Sequence, residues 1–185
     1  MRRLMACLLA LLIGAGVPAR PLEAQNATID EVKAAFLFNF TKFVQWPADT
    51  FPNDASPFVI GILGSDTISD ILREVIRGKT VNGHEIRLKR VSADDDLTQL
   101  QLLFISKSVK SQMPDIVTRV TGKAVLTVAD AVDFSSGGVI QFVVIDDQVR
   151  FDINLDPAQH AHLGVSSKLL TLARGVYLPR ISGVR

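Results

Sequence analysis

The chain has 185 residues, 48% of them hydrophobic, with 20 Lys and Arg against 19 Asp and Glu for a formal charge of +1. A charge so close to zero gives no electrostatic case for binding nucleic acid or an anionic membrane surface.

The first residues read MRRLMACLLALLIGAGV, two arginines followed by an uninterrupted apolar run. That run is shorter than the ~20 apolar residues of a membrane span and is followed by small residues, which is the pattern of a cleavable secretory signal. Cleavage is expected after Ala24, with Ala19 as the second choice. Leu4-Met5-Ala6-Cys7 has the look of a lipoprotein box, but too little chain precedes it to supply the hydrophobic region such a box must follow. Losing residues 1–24 removes Arg2, Arg3, Arg20, Glu23 and Cys7, so the formal charge of the remainder is −1 and no cysteine is left for a disulfide. No later apolar run is long enough to span a bilayer. The rest, 25–185, is one domain's worth of chain, with a core that has to hold without a staple.

Thr28 to Pro47, TIDEVKAAFLFNFTKFVQWP, predicts the first helix. Thr28 and Glu31 have capping-box spacing. Val32, Ala35, Phe36, Phe40, Phe43 and Val44 recur at steps of three and four as an apolar stripe, with Lys33, Asn39 and Lys42 as polar interruptions. Pro47 disfavours helix at Trp46 and supplies the stop. This reads first as a core helix; a sharper reading makes Asn39, Lys42 and Trp46 a recognition surface.

Phe58 to Leu63 is a strand apolar on both faces, suited to the middle of a sheet. Gly64 ends it, and Ser65 or Asp66 caps a helix carrying Ile68, Ile71, Leu72, Val75 and Ile76, closed by Gly78. Asn82-Gly83 is a turn, and His84 to Val91 alternates as a strand nearer an edge. Asp94-Asp95-Asp96 reads as a solvated turn or helix start rather than a metal site. Leu102 to Ile105 is a further buried strand. Ser108 to Thr121 is a helix that Pro114 shortens or offsets, and Ala124 to Val128 is the next strand, with an acidic, glycine-rich loop running to Gly138. Val139 to Ile145 and Gln148 to Leu155 leave no room for a crossover at Asp146-Asp147 and so form an antiparallel hairpin. Asp156-Pro157 reads as a cap and first turn, Ser166-Ser167 as the cap of a last helix over Lys168 to Arg174, and the tail from Tyr177 as frayed. Strand and helix alternating, closed by a hairpin, predict a three-layer, Rossmann-like α/β domain with a mixed sheet.

Catalytic chemistry does not assemble. The loop from Gly61 to Asp66 precedes a helix, so Gly64, Ser65 and Asp66 could hold a small anion, but it lacks both a dinucleotide fingerprint and a Walker lysine. There is no nucleophile elbow. His160 and His162 alternate to different sides of a helix, an awkward arrangement for one metal. Nothing in these residues calls for a cofactor or a metal. The remaining candidates are surfaces, the foremost being Gly164 to Leu170, where an apolar residue, two hydroxyls and a cation meet at a helix start.

Four stretches together, KAAFLFNFTKFVQWP, VIGILGSD, VLTVAD with its glycine-rich loop and hairpin, and GVSSKLLTLA, resemble the YfiR family of periplasmic proteins, in the right order and over nearly all of the chain after the leader. The resemblance implies a non-enzymatic, Rossmann-like periplasmic regulator. Its partners would be the periplasmic part of an inner-membrane diguanylate cyclase, which it inhibits, and an outer-membrane lipoprotein that sequesters it. Such proteins also form homodimers. Lower repressor activity would raise cyclic di-GMP and favour biofilm. Disulfide-based redox control, found in some members, does not carry over to a chain left without cysteine. The expected contacts are Leu163, Val165 and Lys168, with Asn39 and Lys42 as a second patch. The alternative is a small-ligand sensor using Gly64, Ser65 and Asp66.

Overall fold

The computed structural model describes residues 27–64, 67–130 and 137–179. The predicted leader and the end of the tail lie outside these, as do Ser65, Asp66 and most of the glycine-rich loop.

Helix α1 spans Ile29–Phe43. The predicted capping box is formed: Thr28 Oγ1 accepts from the Glu31 amide at 3.2 Å, and the Glu31 carboxylate accepts from the Thr28 amide at 2.7 Å. The helix ends before Trp46 because Val44–Gln45 swings into a short strand, β1. The buried face also differs from the predicted stripe. It carries Lys33, Ala34, Leu37, Phe38, Phe40 and Thr41, while Ala35 is exposed and Val32, Phe36 and Phe43 are half-buried. Two polar residues disguised it. The Thr41 hydroxyl donates to the Phe38 carbonyl at 2.6 Å, and Lys33, expected as a polar interruption, is inside.

With three unpredicted short strands added at 80–81, 164–165 and 175–177, the remaining elements keep the predicted order. These are β2 (Phe58–Leu63), α2 (Ile68–Ile76), β3 (Thr80–Val81), β4 (His84–Val91), β5 (Leu102–Ile105), α3 (Met113–Val120), β6 (Leu126–Ala129), β7 (Ile140–Ile145), β8 (Gln148–Asn154), α4 (Leu155–His160), β9 (Gly164–Val165), α5 (Ser167–Leu172) and β10 (Gly175–Tyr177). A 3-10 turn over Lys107–Gln112 precedes α3, and Pro114 sits in the first turn of that helix, where its missing N–H costs nothing. Asn82 (φ 51°) with Gly83 (φ 90°), and Asp146 (φ 48°) with Asp147 (φ 57°), supply the left-handed pairs that tight hairpins need. Asn154, not Asp156, caps α4: its side chain accepts from the Asp156 amide at 3.1 Å, which moves the helix start back. Tyr177, expected to begin a frayed tail, instead ends a strand, Gly175–Tyr177, that pairs in parallel with β8 at the sheet edge.

The main sheet has eight strands in the order β10-β8-β7-β6-β5-β2-β4-β3. The hairpins β7·β8 and β3·β4 are antiparallel, and the other pairs are parallel. From β2 the chain steps through α2 to β4 on one side, then returns to β5 on the other. Right-handed crossovers in opposite directions put their connections on opposite faces, which makes three layers. On one face α1, α2, α4 and α5 cover Phe58, Ile60, Ile62, Phe104 and Phe142. On the other, α3 and the segment around Leu97 and Leu100 cover Leu63, Leu103 and Ile105. This is why β2 and β5 read as unbroken apolar runs.

Helix α1 is seated on the sheet by aromatic rings. Phe40 lies 5.1 Å from Phe151 and 5.8 Å from Phe142, and Phe36 lies 5.3 Å from Phe151. At the other end of the helix Lys33 Nζ donates to both oxygens of Asp130, at 2.9 and 2.8 Å, with side chains only 7% and 14% exposed.

Truncating the central ring, Phe40→Ala, is expected to destabilise the protein by about 3–5 kcal/mol in urea or thermal unfolding. Lys33→Met leaves Asp130 without a counter-charge and should lower stability by about 3–5 kcal/mol, whereas Lys33→Met with Asp130→Leu should recover most of that loss, because a nonpolar pair removes the uncompensated charge.

Candidate functional site

The corner expected to meet a partner is built by three short elements. Ser166 caps α5 by accepting from the Leu169 amide at 3.3 Å. Just before it, β9 pairs antiparallel with β1, setting Val165 opposite Val44 and Gly164 opposite Gln45. The Ser166 amide donates to the Phe43 carbonyl at 3.0 Å. The corner is therefore clamped to the C-terminal end of α1. Lys168 Nζ lies 5.3 Å from the centroid of the Phe43 ring, and Lys42 Nζ lies 4.2 Å from that of Phe38.

These contacts merge what the sequence presents as two patches. Lys42, at the end of α1, and Lys168, at the start of α5, are both exposed, and Val165 is half-buried between their elements. Asn39 is exposed one turn back, on a shallow apolar groove with Val32, Ala35 and Phe36. Leu163 is different. It is only 6% exposed and belongs to the core, so it supports the corner from beneath. Trp46 also serves the scaffold: its ring packs edge-on against Phe58 at 4.9 Å and its Nε1 donates to the Gln101 carbonyl at 3.1 Å.

Gly64 lies at the opposite end of the sheet. Its φ of +103° suits glycine, and a Cβ there would come within 2.6 Å of Ser108 Oγ and 2.8 Å of Ser106 Cβ. The strand end of β2 is thus pressed against the chain leaving β5. Ser65 and Asp66, its companions in the ligand reading, lie outside the described residues.

The other polar candidates have structural partners. The Asp94-Asp95-Asp96 run is a turn in which Asp95 accepts from the Ser92 amide and Asp96 from the Thr98 amide and hydroxyl. The Thr98 hydrogen bonds hold the Asp96 carboxyl below its ordinary value. His160 Nδ1 lies 2.8 Å from the Asp156 carbonyl. His84, at the start of β4, stacks on Phe51 at 3.8 Å and reaches the Ser56 carbonyl. Among the described residues no group of three His, Cys, Asp or Glu is placed to hold a metal, and no helix is long and apolar enough to cross a membrane.

The described residues thus define an α/β scaffold with an ordered, cationic corner. Comparison with family models matches residues 30–174 to the YfiR/HmsC-like family, and the chain belongs to that family. Comparison with curated proteins finds no match.

What sequence patterns missed is the clamp. Phe43 and Val44 were legible as apolar, but a two-residue strand has no periodicity to display, and its partner β9 lies more than a hundred residues away in the chain.

Proposed function

We propose that this protein is an exported periplasmic regulator, not an enzyme, that binds the periplasmic part of an inner-membrane diguanylate cyclase and holds it inactive, lowering cyclic di-GMP and restraining biofilm. The observation that carries this reading is membership of the YfiR/HmsC-like family over residues 30–174. An outer-membrane lipoprotein would relieve the block by sequestering the repressor. A homodimer is also part of the proposal.

The geometry supports a place for the partner. A regulator that makes no bond needs a patch that joins apolar anchors to orienting polar groups and does not have to be ordered on binding. Val165, Lys168, Lys42 and Asn39 supply this, and the clamp between β1 and β9 holds them in position. Leu163 contributes by packing below. With two lysines at the corner, the matching surface on the partner is acidic, and charge complementarity of this kind chiefly raises the rate of encounter.

Lys168→Glu tests the site. The substitution forfeits one exposed cation–π contact, about 0.5–1 kcal/mol, so the variant should remain folded. Its affinity for the cyclase captured from membranes should fall by about ten-fold, or about 1.4 kcal/mol. A folded variant with unchanged affinity and repression places the interface elsewhere. Export is tested separately by intact mass: material from the periplasm should begin after Ala24 and carry no lipid adduct.

A further inference from the structure

The order of strand addition reverses between the parallel neighbours β2 and β5. In an open α/β sheet, the crevice outside the carboxyl ends of the strands at such a reversal is where ligands bind. Here that place holds a crevice of about 490 Å³, within the usual range for small-molecule sites, reached by the N-terminal turn of α1, the start of α2, the end of β4 and the segment after β5.

Its charged groups are not equally available. Asp130 receives two hydrogen bonds from Lys33. Asp30 accepts from the Thr67 hydroxyl. Asp70 accepts from Arg73 at 2.7 Å, while Arg90 stands 3.9 Å from the same oxygen, beyond hydrogen-bond reach. Lys107 makes no ion pair among the described residues. Each acid of the crevice thus accepts a hydrogen bond, whereas its two cations, Arg90 and Lys107, are exposed, Arg90 with only its 3.9 Å approach to Asp70 and Lys107 with no ion pair among the described residues.

We propose that this crevice binds a compact organic anion with two or more acidic oxygens, a small dicarboxylate or a phosphate monoester. Arg90 supplies a planar fork that suits either oxyanion, and Lys107 supplies a point charge from the other side. Lys33 serves differently. It neutralises Asp130, which would otherwise repel the ligand from the floor. The inference goes beyond regulation by protein contact and does not depend on it, because it rests on the crevice alone.

The experiment is isothermal titration of the protein purified after expression of the full chain, using glycerol 3-phosphate and succinate as probes at constant ionic strength set with sodium chloride. Saturable binding of at least one probe, with a dissociation constant below about 1 mM, is expected. Binding of glycerol 3-phosphate alone assigns a phosphate monoester, and binding of succinate alone a dicarboxylate. Arg90→Gln and Lys107→Gln should each weaken binding at least about ten-fold. Arg87→Gln, on the same strand but outside the crevice, should leave it unchanged. No saturable binding of either probe, or binding that survives in both crevice variants, overturns the proposal.

Discussion

The packing of α1 across the sheet is the constraint on which the rest depends. Phe40 is fully buried and meets rings from both strands of the β7–β8 hairpin, so the helix joins the first residues of the fold to nearly the last. Such contacts are costly to close in entropy and therefore must be strong once made. The aromatic cluster meets this requirement with area. The Lys33–Asp130 pair adds direction, since an ion pair with both carboxylate oxygens engaged fixes how far the helix can slide along the sheet. Hydrophobic burial alone would tolerate more freedom.

The same helix explains where the two candidate surfaces lie. It spans Ile29–Phe43, about 22 Å at 1.5 Å per residue, running from the crevice end of the sheet to the corner end. Asp30 is in the wall of the crevice, and the Phe43 carbonyl receives the amide of Ser166 at the corner. Strand order accounts for the first place, because the reversal at β2 leaves the ends of β2 and β5 with no helix passing between them. Chain return accounts for the second, because β9 must cross back to reach β1 before α5 and β10 can close the sheet.

Much of this was legible in the sequence, and for identifiable reasons. The capping box at Thr28, the apolar runs of β2 and β5, the Asn82-Gly83 turn and the Asp146-Asp147 hairpin are local signals, set by a few adjacent residues. Pro114 likewise announced its own effect on α3. The face of α1 was misread because Lys33 and Thr41 look polar until their partners are known, and the partner of Lys33 is 97 residues distant. The strands β1, β9 and β10 are too short to show alternation and exist only through tertiary pairing. Leu163 at the proposed interface looked exposed because it adjoins a glycine break; its burial is decided by packing on the core, which no local pattern encodes.

The proposed ligand at one end of α1 and the proposed protein partner at the other raise the question of communication along it. A population shift requires an element with two arrangements, each favoured by a different ligand. Helix α1 offers no such alternative: its first turn is capped at Thr28, its middle is held by Phe40, and its end is hydrogen-bonded to β9 and the cap of α5. Sliding it by one turn would separate Lys33 from Asp130 and withdraw Phe40 from its rings. An anion bound at the proposed crevice site would therefore act through mass action, stabilising the folded protein by about 2.7 kcal/mol at a concentration one hundred times its dissociation constant. The corner would be strengthened as part of a fold that opens less often, with its shape unchanged.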